Sequence, residues 1–338
     1  MNDPKQQAAN PKEISTVVLM QGITSNEFYL TDTQTTVPVL RGVDLSVLRG
    51  QIFGVDGTSV VEIRLLLEII ANIRAYDAGR CVLLERGMMR KKKIILPHVF
   101  YLDDTGMVYP DMNVLEFIMF CLMKFKKDKI DLQEQMLDYL VGIGLRHIAL
   151  SPIHSLTSEY RAVVLLLVSA LSRSELVVFN FPENRYGEDL RAAIGHIAHS
   201  FSVKNKTLVL ATQDPALLET ACTHMAYLHE GRIAFAGEVG AFRSAYDRIA
   251  MIIEDENALT LEDHLRLRLP QYRYEVSGST LTIRHDSPIA DSEALPQAVY
   301  REIAAFGVAP DAIMINPKTV FNAREELLRE HAVHQELL

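Results

Sequence analysis

The spacing of apolar and polar residues changes several times along this chain, and the changes mark out its elements. Ser15 to Met20 and Val37 to Val47 alternate apolar and polar positions, the pattern of antiparallel strands with one face in a core. The run Gln51-Ile52-Phe53-Gly54-Val55-Asp56-Gly57-Thr58-Ser59-Val60-Val61-Glu62 then reads as a strand, a tight glycine turn and the start of a helix. From Val61 to Ala75 the apolar residues Ile63, Leu66, Leu67, Ile70 and Ile73 recur at helical spacing, and Asp77-Ala78-Gly79 stops the helix before a strand at Cys81 to Glu85. Asn113 to Phe125 and Asp131 to Ile143 predict a helical insert, with turns around Pro110 and at Lys126 to Lys129. Helices at Tyr160 to Ser172 and Glu188 to Phe201 alternate with buried strands at Leu176 to Phe181 and Thr207 to Thr212. Strands separated by helices pair in parallel, so residues 15–245 predict an α/β layered domain whose helical insert occupies about 110–160.

The pattern breaks between Phe242 and Asn257, where the chain reads as helical and acidic. Beyond it, Leu261 to Leu269 suggests a helix, and Tyr272 to Ser277 with Thr280 to His285 a hairpin turning at Ser277-Gly278-Ser279. A helix at Ser292 to Phe306, a strand at Ala312 to Ile315 and a final helix from Asn322 complete a small α+β domain over residues 258–338. Residues 1–14 read as a flexible polar tail.

Composition narrows the function. The chain has 338 residues and a net charge of −9, which argues against a broad nucleic-acid-binding face, because phosphate binding needs clustered Lys and Arg. The polar start from Met1 to Glu13 has no apolar signal core, and no segment reaches the roughly 20 apolar residues that span a bilayer, so a soluble chain is expected. Cys81, Cys121 and Cys222 lack any ligand spacing and read as reduced thiols in a cytosolic protein without a structural metal. The lone His98, His154 and His224 carry no assigned role.

Three further stretches carry a resemblance: Pro38-Val39-Leu40-Arg41-Gly42-Val43-Asp44-Leu45-Ser46-Val47, Val108-Tyr109-Pro110-Asp111-Met112-Asn113-Val114-Leu115-Glu116-Phe117 and Ala226-Tyr227-Leu228-His229-Glu230-Gly231-Arg232-Ile233. With the order of elements, they make about Ser15 to Ala245 similar to the ATP-binding subunit of ABC transporters. The resemblance implies an ABC-type P-loop NTPase core with an antiparallel β subdomain and a helical insert. The C-terminal α+β domain looks like the extension of some exporter-type subunits, to which Thr319-Val320-Phe321-Asn322 is a loose match.

The residues that the resemblance assigns to nucleotide chemistry depart from it. In the phosphate loop the family's lysine and hydroxyl positions fall on Val60, Val61 and Glu62, with Asp56 in the turn beside Gly54, Gly57, Thr58 and Ser59. Losing one cation about 4 Å from a phosphate forfeits roughly 4 kcal/mol at an effective dielectric near 20, about a thousandfold in affinity. Glu62 either substitutes for the anion at the helix's positive end or belongs to a retained structural turn. The magnesium aspartate and the water-activating glutamate of the family correspond to Asn180 and Phe181, and Phe181 has no proton acceptor. The signature loop that clasps the partner subunit's γ-phosphate becomes Leu156-Thr157-Ser158-Glu159-Tyr160, where Thr157 and Ser158 keep hydroxyls. The sensor glutamine aligns with Asp104 or, one residue earlier, Asp103. The switch histidine aligns with Gln213, and the interface aspartate falls near Gly187. Phe28 or Tyr29 is placed either to stack on adenine or to pack ordinarily.

Two surface stretches remain. Arg90-Lys91-Lys92-Lys93 reads as a solvated loop or as a contact for acidic lipid or protein. Phe117-Ile118-Met119-Phe120-Cys121-Leu122-Met123 is more apolar than one helix face needs, which fits either a core or the family's groove for a membrane subunit. The expectation is a catalytically inactive subunit of an exporter complex, peripheral on the inner face of the cell membrane. It would need no cofactor and bind ATP weakly at most. Its expected partners are a transmembrane permease and an active ATP-binding subunit or a second copy of itself, and no nucleic acid. The alternatives are an ATPase half contributing a weak composite site in a heterodimer, and a protein-binding scaffold outside transport.

Overall fold

Strand β5 (Ile52–Gly57) runs through the centre of the main sheet with every residue buried. The computed structural model describes residues 15–30, 35–87, 98–104, 109–122, 129–285, 294–315 and 318–336, and divides into two units, Met1–Ala236 and Gly237–Leu338. The main sheet is ordered β12-β11-β5-β10-β9-β8, comprising β8 (Val99–Leu102), β9 (Leu176–Asn180), β10 (Thr207–Ala211), β11 (His224–His229) and β12 (Arg232–Glu238). β5 pairs in parallel with β10 and β11, β10 with β9, and β9 with β8.

The continuous apolar runs of these strands divide between two cores because successive side chains point to opposite faces. Val177, Phe179, Leu208 and Leu210 face a core shared with helices α4 (Ser158–Leu171), α5 (Glu188–Val203) and α6 (Pro215–Ala221) and with the insert helices α2 (Val114–Leu122) and α3 (Lys129–Gly142). Leu176, Val178, Val209 and Ala211 face the other side, where helix α1 (Val60–Ile70) packs with an antiparallel sheet. That sheet is ordered β4-β1-β6-β7 and contains β1 (Thr16–Ser25), β4 (Val43–Leu48), β6 (Tyr76–Leu83) and β7 (Arg86–Gly87). The stretch Val37 to Val47, expected as one strand, instead splits: Thr36–Pro38 (β3) pairs with Phe28–Leu30 (β2), and β4 pairs with β1. Helix α1 stops at Ile70 rather than Ala75, because Asn72 adopts φ 60, outside the helical region.

The second unit contains β13 (Ile249–Glu254), α8 (Ala258–Arg268), β14 (Arg273–Ser277), β15 (Thr280–Arg284), α9 (Ala294–Phe306), β16 (Ala312–Ile315) and α10 (Val320–Glu336), preceded by α7 (Val239–Tyr246). Its antiparallel sheet is ordered β14-β15-β13-β16, the split βαβ arrangement. Helices α8 and α9 bury Leu261, Leu265, Leu295 and Val299 against Met251, Ile253, Leu281 and Ile283. The expected helical break between Phe242 and Asn257 therefore contains a central strand. Ile249–Glu254 has neighbours on both edges and is mostly buried, and such a run lacks the alternation that marks a half-exposed strand. The expected tail 1–14, the basic run Arg90 to Lys93 and the turn through Lys126 to Asp128 lie outside the described residues.

Candidate functional site

The carboxyl ends of β5, β8, β9 and β10 form one crest, the position where open parallel sheets hold ligands. Of the residues aligned with nucleotide chemistry, Gly57 to Glu62, Asp103, Asp104, Asn180, Phe181 and Gln213 lie at or just past these strand ends, whereas Gly54 sits midway along β5, Phe28 and Tyr29 belong to β2, and Gly187 lies with the signature loop.

Gly54 and Gly57 are both strand residues, and the expected glycine turn is absent: β5 extends through Gly57, α1 begins at Val60, and only Thr58 and Ser59 connect them. Gly54 pairs with Leu210 and Met225, and Gly57 with Leu228, so both are held extended by their neighbours. A Cβ on Gly57 would lie 2.6 Å from the Leu228 carbonyl oxygen, and one on Gly54 would lie 2.3 Å from a Leu218 methyl. A phosphate loop places four residues between its glycines, and their amides cradle the phosphates. With the lysine position at Val60, the second glycine position is Ser59, and three of the four residues between, Val55, Asp56 and Gly57, are buried in the strand.

The amino end of α1 is occupied by the protein's own groups. Ser59 caps the helix, its Oγ accepting the Glu62 amide at 3.4 Å, and the Tyr29 hydroxyl lies 3.1 Å from the same oxygen. Tyr29 thus reaches the helix cap, while Phe28 is more than half exposed. Thr58 donates its amide to the Leu228 carbonyl at 3.1 Å. Val61 is exposed. Glu62 is buried beside the turn after β11, where its carboxylate accepts the Gly231 amide. Burial raises its pKa, opposed by that hydrogen bond and the nearby Arg41, and its Oε2 has no hydrogen-bond partner.

Along the rest of the crest, polar groups are tied to one another. Asp56 is fully buried and accepts the Gly57 amide at 2.7 Å, and Gln213 Nε2 donates to the Gly57 carbonyl at 3.0 Å. Asn180, also fully buried, donates to the Tyr101 hydroxyl at 2.8 Å, and burial pushes that phenol up to about 12. Phe181 is buried against Phe179 with ring centroids 4.7 Å apart. Arg64 of α1 reaches across the crest, 3.0 Å from Glu183 and 3.7 Å from Asp104. Sequence reasoning missed Arg64 and Glu183.

The signature loop lies at the start of α4. Thr157 is the N-cap residue, and Glu159 accepts hydrogen bonds from the Thr157 hydroxyl, from its own amide and from the Ser158 hydroxyl, which together lower its pKa. Tyr160 makes an edge contact with His147 at 5.7 Å. A cavity of about 430 Å³ beside this loop is lined by Thr157, Glu159, Tyr160, Arg185 and the Gly187 to Leu190 segment, so it includes the carboxylates of Glu188 and Asp189. No group of three or more metal-ligating side chains occurs among the described residues.

In the insert, Phe117, Ile118 and Leu122 are buried core residues, whereas Phe120 is exposed and packs edge-on against Tyr109 at 4.7 Å. Most of the apolar excess is therefore core, and Met123 lies outside the described residues.

This architecture is the ABC-type ATP-binding cassette fold. A nucleotide-free ATP-binding cassette from an ABC transporter superposes with a TM-score of 0.52 at 15% identity, over 66% of this chain and 92% of that one. An ATP-binding subunit of an ABC transporter gives 0.54 at 16% identity, over 68% and 92%. In sequence, the chain is similar to ABC transporter ATP-binding subunits. The methionine import ATP-binding protein MetN of Clostridium tetani is 21% identical over 255 residues, 73% of this chain and 80% of that protein. The lipoprotein-releasing system ATP-binding protein LolD of Neorickettsia sennetsu is 22% identical over 209 residues, 58% and 88%. The spermidine/putrescine import ATP-binding protein PotA of Trichormus variabilis is 20% identical over 325 residues, 94% and 81%. No family model matches the chain.

Proposed function

We propose that this chain is a catalytically inactive ABC-type subunit that serves an ABC transport complex as a structural and regulatory partner. The observation that carries the reading is the connection from β5 to α1, where Thr58 and Ser59 stand in place of a phosphate cradle and Glu62 lies buried in the first turn of the helix. A magnesium nucleotide does not fit these residues. The crest offers it no lysine, Asn180 carries no charge for a metal, Phe181 has no proton acceptor, and Arg64 is already paired with Glu183 and Asp104. Gln213 hydrogen-bonds the strand rather than facing an empty phosphate position.

A composite ATP site with a partner is less well supported, because Glu159 takes the hydroxyl and amide donors that the signature loop would offer a γ-phosphate. Coupling to a transmembrane permease, pairing with an active subunit or a second copy, and a peripheral position on the membrane follow from the likeness to transporter subunits. No helix among the described residues is long and apolar enough to cross a membrane. The names of the relatives weigh toward import rather than toward the exporter type that the C-terminal extension resembles.

The test has two parts. Equilibrium binding of labelled ATP to the full chain with magnesium should show no saturation in the micromolar range. A low-micromolar Kd, or hydrolysis abolished by Asn180→Ala, would overturn the inactive reading. Affinity purification from detergent-solubilised membranes should recover a polytopic permease, and recovery of soluble proteins alone would favour the scaffold reading.

A further inference from the structure

A cluster of cationic side chains beside a cavity lies far from the nucleotide crest in sequence, within the C-terminal unit. A cavity of about 850 Å³ is lined there by Arg248, Arg273, Arg284 and Arg329, by Glu275, Glu326 and Glu330, and by His285. Its size falls within the range of small-molecule sites, roughly 300 to 1,000 Å³. The walls come from β14, β15 and α10, elements that meet only when the unit folds.

The carboxylates in this cavity are already matched. Arg248 pairs with Glu330, and Arg284 lies 3.0 Å from Glu275 and 3.1 Å from Glu326. Arg284 and Glu326 are largely buried, with side-chain exposures of 17% and 14%. Arg329 is different. It is half-exposed and lies 3.7 Å from Glu275 and 3.9 Å from Glu326, ion-pair distances too long for hydrogen bonds. Four arginines face three glutamates, which leaves the cavity with an excess of positive charge.

Among the residues lining the cavity, three buried side-chain nitrogens lack a hydrogen-bond partner. Arg248 Nε is buried without a hydrogen-bond partner, and so are both ring nitrogens of His285. Burial and the neighbouring Lys318 hold the His285 pKa below its ordinary value, so the ring is neutral, with one donor and one acceptor both unmet. Buried polar groups in native structures almost always have a partner, and each orphan costs about 1 to 3 kcal/mol. A planar guanidinium matches the paired oxygens of carboxylate or phosphate.

We propose that this cavity binds a small anion carrying a carboxylate or phosphate group, held by Arg329 and Arg248 with the His285 ring as a further hydrogen-bond partner. The site lies wholly within the C-terminal unit, and its failure would leave the reading of the crest untouched. Such a ligand would tie α10 to the β14–β15 hairpin.

The experiment is calorimetric titration of the full chain with inorganic phosphate and, in a second arm, with succinate. The parent should bind at least one of them saturably, with Kd near or below about 1 mM. Binding of phosphate alone identifies a phosphoryl ligand, and binding of succinate alone a carboxylate. Arg329→Gln and His285→Gln should each weaken that binding tenfold or more. Arg329 is half-exposed and its loss leaves the buried Arg284 network intact, so this variant decides the matter even if His285→Gln unfolds. Absence of saturable binding of both anions, or an Arg329→Gln chain that binds as the parent does, overturns the proposal.

Discussion

Gly57→Ala separates a phosphate-cradle glycine from a strand glycine. In a cradle, the substitution would mainly alter ligand binding. In this chain the added Cβ lies 2.6 Å from the Leu228 carbonyl oxygen and 2.9 Å from the Leu228 Cβ, both on the paired strand β11. Ordinary contact begins about 0.8 Å further out, so β5 and β11 must spread where Thr58 donates to that same carbonyl at 3.1 Å. Overpacking of a tight core costs about 1 to 3 kcal/mol. A weakened backbone hydrogen bond adds about 0.5 to 1.5 kcal/mol. The expected loss is therefore about 1.5 to 4.5 kcal/mol. Gly54→Ala should cost less, about 1 to 2 kcal/mol, because its first obstacle is the end of the Leu218 side chain rather than backbone. Urea unfolding followed by circular dichroism measures both. A Gly57→Ala chain within about 0.5 kcal/mol of the parent would mean that Gly57 is not confined in the strand, and the two-residue connection would lose its main support.

Three other outcomes are expected. Restoring the missing side chains with Asn180→Asp and Phe181→Glu should not produce magnesium-dependent hydrolysis, since the strand-to-helix connection still lacks a cradle; phosphate release measured on the purified variant checks this. Burial raises the Glu62 pKa, so its ionised form is penalised in the fold above that pKa and the penalty disappears below the unfolded value; Glu62→Gln should therefore gain stability relative to the parent as pH rises from about 4 to about 7, read from paired denaturation curves. Phe120→Glu, at an exposed position of the insert, should leave the melting temperature nearly unchanged yet reduce recovery of the chain with membranes, whereas Phe117→Glu, which is buried, should unfold the insert.

The chain's own pattern determined a good deal. Runs such as Leu176 to Phe179 and Leu208 to Ala211 are apolar throughout, which requires burial on both faces and hence a parallel sheet between helices. The absence of lysine at Val60 and of a carboxylate at Phe181 is a property of residue identity and needs no coordinates. Spacing alone misled at several places. Gly54 and Gly57 read as a turn, yet their strand partners Leu210, Met225 and Leu228 lie far along the chain and hold them extended. Ile249–Glu254 read as a helical break, although pairing on both edges makes it a strand. Only the tertiary structure placed Arg64 beside Glu183, 119 residues away, and brought Arg248 and Glu330 to one cavity from positions 82 residues apart. Charges pair through space, whereas local periodicity reports only which side of an element is apolar, so the composition of these sites emerges when the elements pack.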